Sequence, residues 1–322
     1  MRYAKIPSIV SQYDFYLSSF DGEEINGIDF YHQAKQKTTM FASADDDGKL
    51  RVTNYVKSKK SSEKPPAYLI FREYDHSDEA SPSLVTSLAF RPKSIKSIDI
   101  ATGGTDCTIS LWDVNKPHNK PSSTLIVSQD SDESAHKSGV NQICNPPIVH
   151  SLSWSPSGKL LSAGLGDGTC MIACMNGRKL EETCRLRNGH DSAVASVKFP
   201  AFDNDITNYS SDDRLMISAG TDGSILLWDL GSKVAGKDAI NPERKLGGCN
   251  RNDVDDVQAA MENVALKCDK NSEPKILFGI PHEKKINYMA SSSSNEVALP
   301  HSLFVADITN NISVYTLPMN YK

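Results

Sequence analysis

Ser218, His190 and Asp222 are the residues of this chain whose types could do chemistry together. A serine, an imidazole and a carboxylate can serve as nucleophile, base and orienting group of a hydrolase. Two features argue against that use here. Trp228 stands where a substrate would need access, and no G-x-S-x-G turn lifts the serine into the open. The same residue types have a structural use. The Trp228 indole N–H can be given to the Ser218 hydroxyl, Ser218 can bond His190, and the other imidazole nitrogen can meet the Asp222 carboxylate. A buried polar network is stabilising only when every member is satisfied, so this one would fix register and rotamers together. The chain is accordingly read as a non-enzyme with no catalytic residue, no metal and no cofactor.

The elements that must position these residues lie between Asn188 and Leu230, in NGHDSAVASVKFP and RLMISAGTDGSILLWDL. The Asp222-Gly223 pair supplies the positive φ angles of a tight hairpin, and Met216 to Ala219 and Ile225 to Trp228 read as its strands. A unit that opens on Gly-His and closes on Trp-Asp resembles one blade of a WD40 β-propeller. In SLVTSLAFRP and DIATGGTDCTISLWDV the same network is offered by His76, Thr102, Asp106 and Trp112. Three further units are degraded. EEINGIDF with MFASADDDGKLRVTNY has Asp47-Gly48 at the turn and Thr53 in the Trp position. IVHSLSWSPSGKLLSAGLGDGTCMIACM has Asp167-Gly168 at the turn and Ala173 for Trp. KINYMA with SLFVADITNNISVYTL has Thr309 at the turn-Asp position and Tyr315 for Trp.

The expected fold is therefore all-β, a propeller of five recognisable four-stranded blades spread over residues 22–322, after a strand-like segment at 1–21. The turn aspartates recur at about 55 to 60 residues, longer than the roughly 40 to 45 of a bare repeat, so loops carry the excess. The longest are 115–147, with TLIVS at 124–128 as an outer strand, and 231–275, where VDDVQAAMENVAL reads as a short helix. The last blade stops after a third strand, so its fourth must come from elsewhere. Ile6 to Tyr16 either pairs there and closes a five-bladed ring, or pads a blade in an open array. Blades shaped for about seven would gape if closed at five, which favours the incomplete ring.

Composition fits this reading. A hydrophobic fraction of 39% in 322 residues suffices for a core, and strand-like segments are short. No apolar run approaches about 18 residues and no charged-then-apolar leader opens the chain, so a cytoplasmic or nuclear protein is expected. The formal net charge of −5 argues against a general nucleic-acid surface. Lys57, Lys59, Lys60 and Lys64 form the one basic cluster, in a Ser- and Pro-containing segment whose default reading is a solvated loop. Seven cysteines, Cys107, Cys144, Cys170, Cys174, Cys184, Cys249 and Cys268, show no framework spacing and read as thiols. A zinc site from Cys170, Cys174, Cys184 and His190 fails on reach. Residues 170 and 174 on one strand lie about 13 Å apart, against zinc–sulfur bonds of about 2.3 Å.

The ordered series GEEIN, ASADDDGKL, LAFRP, NPPIVHSLS, RNGHDSAV, SAGTDGSILLWD, HEKKINY and LFVADITNNISVYTL resembles, from about Gly22 to Leu317, the WD repeat-containing protein 53 family. That resemblance implies a protein-binding propeller and a substrate receptor of cullin-RING ubiquitin ligases, docked on the ligase adaptor through Trp-Asp-x-Arg. The chain departs at the arginine, reading Trp112-Asp113-Val114-Asn115 and Trp228-Asp229-Leu230-Gly231. Neither Asn nor Gly imitates a forked, always-charged donor. The function read from the sequence is a scaffold for other proteins, with an RNA-associated propeller subunit as the alternative. The loops around His76 to Ser83 and His190 to Ser192 are rim candidates, with the Asp-Gly turns expected on the opposite end.

Overall fold

The computed structural model describes residues 2–4, 24–31, 38–56, 68–76, 83–92, 97–116, 118–128, 145–200, 213–235, 273–292 and 302–316. Short apolar segments bounded by turn residues favour strands, and strands dominate. In chain order they are β1 (Arg2–Ala4), β2 (Ile25–Tyr31), β3 (Thr38–Asp45), β4 (Lys49–Val56), β5 (Tyr68–Asp75), β6 (Val85–Phe90), β7 (Asp99–Gly104), β8 (Thr108–Asp113), β9 (Ser123–Ile126) and β10 (Val149–Trp154). There follow β11 (Leu160–Leu165), β12 (Cys170–Asn176), β13 (Lys179–Leu186), β14 (Val194–Lys198), β15 (Leu215–Gly220), β16 (Ser224–Asp229), the short helix α1 (Gly231–Ala235), β17 (Lys275–Pro281), β18 (Ile286–Ser292), β19 (Ser302–Asp307) and β20 (Ile312–Thr316). They form five antiparallel sheets of four strands, the blades of a β-propeller. Blades one to four are β2 to β5, β6 to β9, β10 to β13 and β14 to β17, each in sequence order.

Blade five takes β18, β19 and β20 from the carboxyl end and β1 from the amino end. Arg2 lies opposite Val314, Tyr3 opposite Ser313 and Ala4 opposite Ile312. The completing strand therefore comes from three residues too few to show periodicity, while Ile6 to Tyr16 lies outside the described residues. The helix read at residues 254–266 and the basic cluster at 57–64 also lie outside them.

The tight turns explain several glycines. Gly48, Gly168 and Gly223 have φ of 75°, 84° and 78° in the β3–β4, β11–β12 and β15–β16 turns. In the β7–β8 turn Cys107 takes that conformation, with φ of 59° and no glycine to ease it.

Neighbouring blades are joined at their inner strands by side chains that bond the next strand's free edge. Every inner strand carries a register shift near its start, between Ile25 and Gly27, Val85 and Ser87, Val149 and Ser151, Val194 and Ser196, and Ile286 and Tyr288. The bulged residue reaches forward: Asn26 Nδ2 donates to Val85 O at 3.1 Å, and Thr86 Oγ1 donates to Val149 O. Further along, an oxygen accepts an N–H from the following blade. Asp29 Oδ2 takes Phe90 N at 2.7 Å, Ser87 Oγ takes Leu152 N at 2.9 Å, Ser151 Oγ takes Val197 N at 3.1 Å, and Ser153 Oγ takes Phe199 N at 3.2 Å.

Between these rungs lie the apolar cores. Leu88 and Phe90 of blade two pack with Ala42, Ala44, Leu50 and Val52 of blade one. Leu152 and Trp154 pack with Ala101, Ile109 and Leu111, and Val197 and Phe199 pack with Leu160, Cys170 and Ile172. Met289 packs with Ile217, Ala219, Ile225 and Leu227. Inner strands thus adjoin in the order β2, β6, β10, β14, β18. Among the described residues no comparable junction returns from β18 to β2, and Ile28 and Phe30 on β2 are 56% and 50% exposed. Among the described residues the series of inner-strand junctions therefore begins at β2 and ends at β18.

Removing a rung leaves a buried donor unpaired. Ser151→Ala should cost about 1 to 3 kcal/mol in chemical denaturation because the Val197 N–H loses its acceptor. Ser192→Ala, in an exposed loop, should cost less.

Candidate functional site

In blade four, His190 precedes β14, Ser218 lies on β15, Asp222 in the β15–β16 turn and Trp228 on β16. Trp228 Nε1 donates to Ser218 Oγ at 2.8 Å, and Ser218 Oγ lies 2.7 Å from His190 Nε2. His190 Nδ1 lies 2.8 Å from Ser224 Oγ and 3.4 Å from Asp222 Oδ1. Asp222 also accepts the Ser224 N–H at 2.9 Å, the Ser224 hydroxyl at 2.7 Å and the Asp191 N–H at 2.9 Å. Ser224 is a member that the sequence reading missed; its signal is a hydroxyl residue two places after the turn aspartate. Ser218 is fully buried and bonded to the indole, so it ties strands together and is not presented to solvent.

Blade two repeats the pattern with the imidazole turned over. Thr102 Oγ1 accepts Trp112 Nε1 at 2.8 Å and lies 2.8 Å from His76 Nδ1, while His76 Nε2 lies 3.4 Å from Asp106 Oδ1. Thr108 takes the part of Ser224, donating its hydroxyl to Asp106 Oδ2 at 3.0 Å. Burial raises the pKa of both aspartates, but the imidazole, hydroxyl and N–H partners outweigh it and hold both carboxyls below the usual carboxylate range. A glycine precedes each turn for steric reasons. A Cβ on Gly220 would meet Asp222 Oδ1 and lie 2.5 Å from His190 Nδ1, and one on Gly104 would lie 2.9 Å from Asp106 Oδ1 and His76 Nε2.

The other blades solve the same problem differently. In blade five His282 Nδ1 lies 2.6 Å from the Tyr315 hydroxyl, and His282 Nε2 lies 2.9 Å from Asp307 Oδ2. The carboxylate thus comes from Asp307 and not from the position of Thr309, whose N–H bonds Asp307 Oδ1 at 2.6 Å. Asp307 pairs with Ile286 in the register where Gly220 pairs with Val194. The sequence reading did not include His282 in a network, although it precedes its inner strand as His190 does. In blade one Asp45, not the exposed Asp47, is buried, accepting Arg51 Nη1 at 2.6 Å and Lys49 N at 2.9 Å. In blade three Asp167 Oδ1 accepts the N–H and hydroxyl of Thr169 at 2.9 and 2.7 Å, Gly168 sits beside it in the turn, and Ala163 and Ala173 occupy the Ser and Trp positions.

The loops before the inner strands and the aspartate turns lie on the same end, which corrects the expectation of opposite ends. The reason is the network itself, together with Ser192 Oγ 2.7 Å from Thr221 Oγ1 and Ser83 Oγ 3.1 Å from Thr105 Oγ1. Glu24, Asp47, Asp106, Asp191, Asp222 and Glu283 are exposed there beside Lys284 and Lys285, a rim with an acidic excess. Residues 77–82 of the first loop lie outside the described residues. The aspartates of the two Trp-Asp pairs are used internally. Asp229 accepts Arg214 Nε at 2.5 Å and Nη2 at 2.9 Å with both side chains buried, and Asp113 lies 3.8 Å from Lys116 Nζ. Cys170, Cys174 and Cys184 share an apolar cluster with Ile172 and Trp228. Burial pushes the Cys170 thiol up to about 12 and that of Cys184 up to about 11, so both stay protonated at neutral pH.

Asp222→Ala should cost about 1 to 3 kcal/mol by taking the acceptor from the Ser224 hydroxyl and N–H and from the Asp191 N–H, and with it the support of the His190 ring. Asp47→Ala should cost less, and equal losses in denaturant titrations would contradict the network argument. Because the folded carboxyl titrates below its unfolded value of about 3.9, its stabilisation is present above that pH and fades as pH falls further. The gap in stability between wild type and Asp222→Asn should therefore shrink on acidification below about pH 4.

A family model described as WD domain, G-beta repeat matches residues 72–113, 128–172 and 181–229. Each match runs from the outer strand or loop before a blade to its third strand, for blades two, three and four. The chain is 22% identical over 305 residues to the WD repeat-containing protein 53 homolog of Dictyostelium discoideum, covering 92% of this chain and 68% of that protein. It is 24% identical over 146 residues to a component of chromatin assembly factor 1 from Mus musculus, covering 42% of this chain and 23% of that protein. With an F-box-like/WD repeat-containing protein of Homo sapiens it shares 29% identity over 130 residues, covering 40% of this chain and 21% of that protein. The chain thus carries repeats that match the WD domain, G-beta repeat model in three of its blades, and its described residues fold as the five four-stranded sheets of a β-propeller.

Proposed function

We propose that the chain is a non-enzymatic scaffold that binds other proteins on the acidic end of the propeller. One observation carries this reading. The loops before the inner strands and the aspartate turns converge on one end, where buried imidazoles fix them and Asp47, Asp106, Asp191 and Asp222 stand exposed. Rigid scaffolds present binding residues on loops in this way. An acidic rim repels phosphate backbones, so a protein surface with exposed lysines and arginines fits better than RNA.

A finer role as substrate receptor of a cullin-RING ubiquitin ligase is supported only by the resemblance to WD repeat-containing protein 53. Asp229 is sealed against Arg214 inside the blade, and no arginine follows either Trp-Asp pair at the adaptor-reading position. Among the described residues no helix is long and apolar enough to cross a membrane. A relative named for chromatin assembly supports a nuclear site of action, beside a cytoplasmic one.

Affinity purification with crosslinking and mass spectrometry tests the reading, using wild type and the double reversal Asp47→Lys, Asp191→Lys. Loss of recovered proteins on reversal supports the acidic end. Unchanged recovery removes that face from the proposal, and salt-sensitive retention of RNA without any protein would replace the scaffold reading. Reproducible recovery of a cullin adaptor would establish the ligase role.

A further inference from the structure

Cations that stand far apart in the sequence meet on the end of the propeller opposite the aspartate turns. β8 leaves its turn near Asp106 and ends at Asp113, and β12 leaves its turn near Asp167 and ends at Asn176, so both run out on that far end. Blade two continues there through residues 114–122 to β9, whereas blade three turns directly from β12 into β13. The direct turn places only Gly177 and Arg178 between the paired residues Asn176 and Lys179. Gly177 supplies the left-handed φ of 63° at the first central position, and a Cβ there would meet nothing within 4 Å, so the turn projects into solvent.

The two connections meet. Leu180 N donates to Ser123 Oγ at 3.1 Å, and Arg178 reaches across to blade two, its Nη1 3.9 Å from Asp113 Oδ2. Lys116 Nζ lies 3.8 Å from the same oxygen. Two cations thus converge on one buried carboxylate at distances longer than a hydrogen bond, so the guanidinium fork and the ammonium keep donors to spend. Lys120 and Lys179 stand exposed on the same two connections. Lys159, also exposed, lies one strand further in, its carbonyl accepting Met175 N at 3.1 Å. Exposed carboxylates beside the cluster are engaged by amides: Glu181 accepts Asn176 Nδ2 at 3.0 Å, and Asp75 accepts Asn119 Nδ2 at 2.6 Å. The gathering is basic although the whole chain has a formal net charge of −5.

We propose that this cluster is a second binding surface, and that its occupant is an Asp- and Glu-rich segment of a partner protein. A carboxylate is what Lys116 and Arg178 already face, and a forked guanidinium beside an ammonium can take another. Nucleic acid fits less well. Single strands are held where bases stack on aromatic rings, and among the described residues of 113–123 and 175–181 there is no Phe, Tyr or Trp. A duplex is held by a longer track of cations than two short connections supply. The cluster shares no residue with the acidic rim and lies on the other end, so the chain presents surfaces of opposite sign to two partners.

Fluorescence anisotropy with the full chain and a labelled oligoglutamate tests this. The wild type should bind the probe at about 50 mM salt and release it at about 500 mM, where exposed charges are screened. Arg178→Glu with Lys179→Glu should weaken binding by about tenfold, since each reversal exchanges an attraction for a repulsion. Arg178→Glu also brings a carboxylate towards Asp113; should that lower the melting temperature, Lys120→Glu with Lys179→Glu, both exposed and clear of Asp113, should give a similar loss. Asp47→Lys with Asp191→Lys, on the acidic end, should leave oligoglutamate binding no weaker, which separates failure of one surface from failure of the other. Absence of binding at low salt, or equal binding by wild type and both cluster variants, would overturn the proposal. Tighter binding of an oligouridylate of equal length, lost in the same variants, would overturn it in favour of a phosphate-backbone site.

Discussion

An inner strand of a propeller is paired on one edge only, and the N–H groups on its other edge need acceptors from outside the sheet. The four closed junctions draw acceptors and donors from side chains of the preceding blade where they are short and polar: Asn26 and Asp29, Thr86 and Ser87, then Ser151 and Ser153. Such bonds orient blades as well as satisfy them, because the oxygens sit on the face that also carries the apolar contact. The bulge at the start of every inner strand is the device that turns one extra residue towards the next blade. At the junction of β14 with β18 the pattern weakens. Ser196 Oγ is buried without a partner, and the Lys198 ammonium instead lies 5.2 Å from the centre of the Tyr288 ring.

The imidazole networks act at right angles to this ladder. They tie the entry loop of each blade to its central hairpin, and only blades two and four hold the Trp, hydroxyl, His and Asp together. Blade one replaces the network with an Asp45–Arg51–Glu73 chain of charge-assisted bonds in which Arg51 donates to both carboxylates, and blade three with small alanines and Trp154, whose indole donates to Ala89 O at 3.1 Å. Blade identity thus survives loss of the signature residues because apolar contact between sheets is roughly proportional to area and indifferent to which residues supply it.

Period-two patterning and the Asp-Gly turns placed four strands per unit and the Trp positions Thr53, Ala173 and Tyr315, because those features are local. What was not legible depended on distance. Arg2–Ala4 has no pattern of its own and gains meaning only beside β20. The convergence of entry loops and aspartate turns on one end was misplaced because strand direction, not spacing, decides it. The His282 network escaped notice because its carboxylate is displaced by two residues, from the turn to the end of the preceding strand. In the rung serines, hydroxyl and apolar neighbours look alike in a strand that alternates either way.

The displaced carboxylate has a consequence for how blades can change. Blades two and four leave Gly104 and Gly220 bare because the aspartate two places on fills that space; blade five fills it with Asp307 and leaves a threonine further along. Each arrangement supplies one carboxylate to one imidazole. A chain moving between them by single replacements must pass through a blade with two carboxylates crowding the ring or with none. The two arrangements are separate basins of sequence, and the histidine ahead of the strand is their common ground.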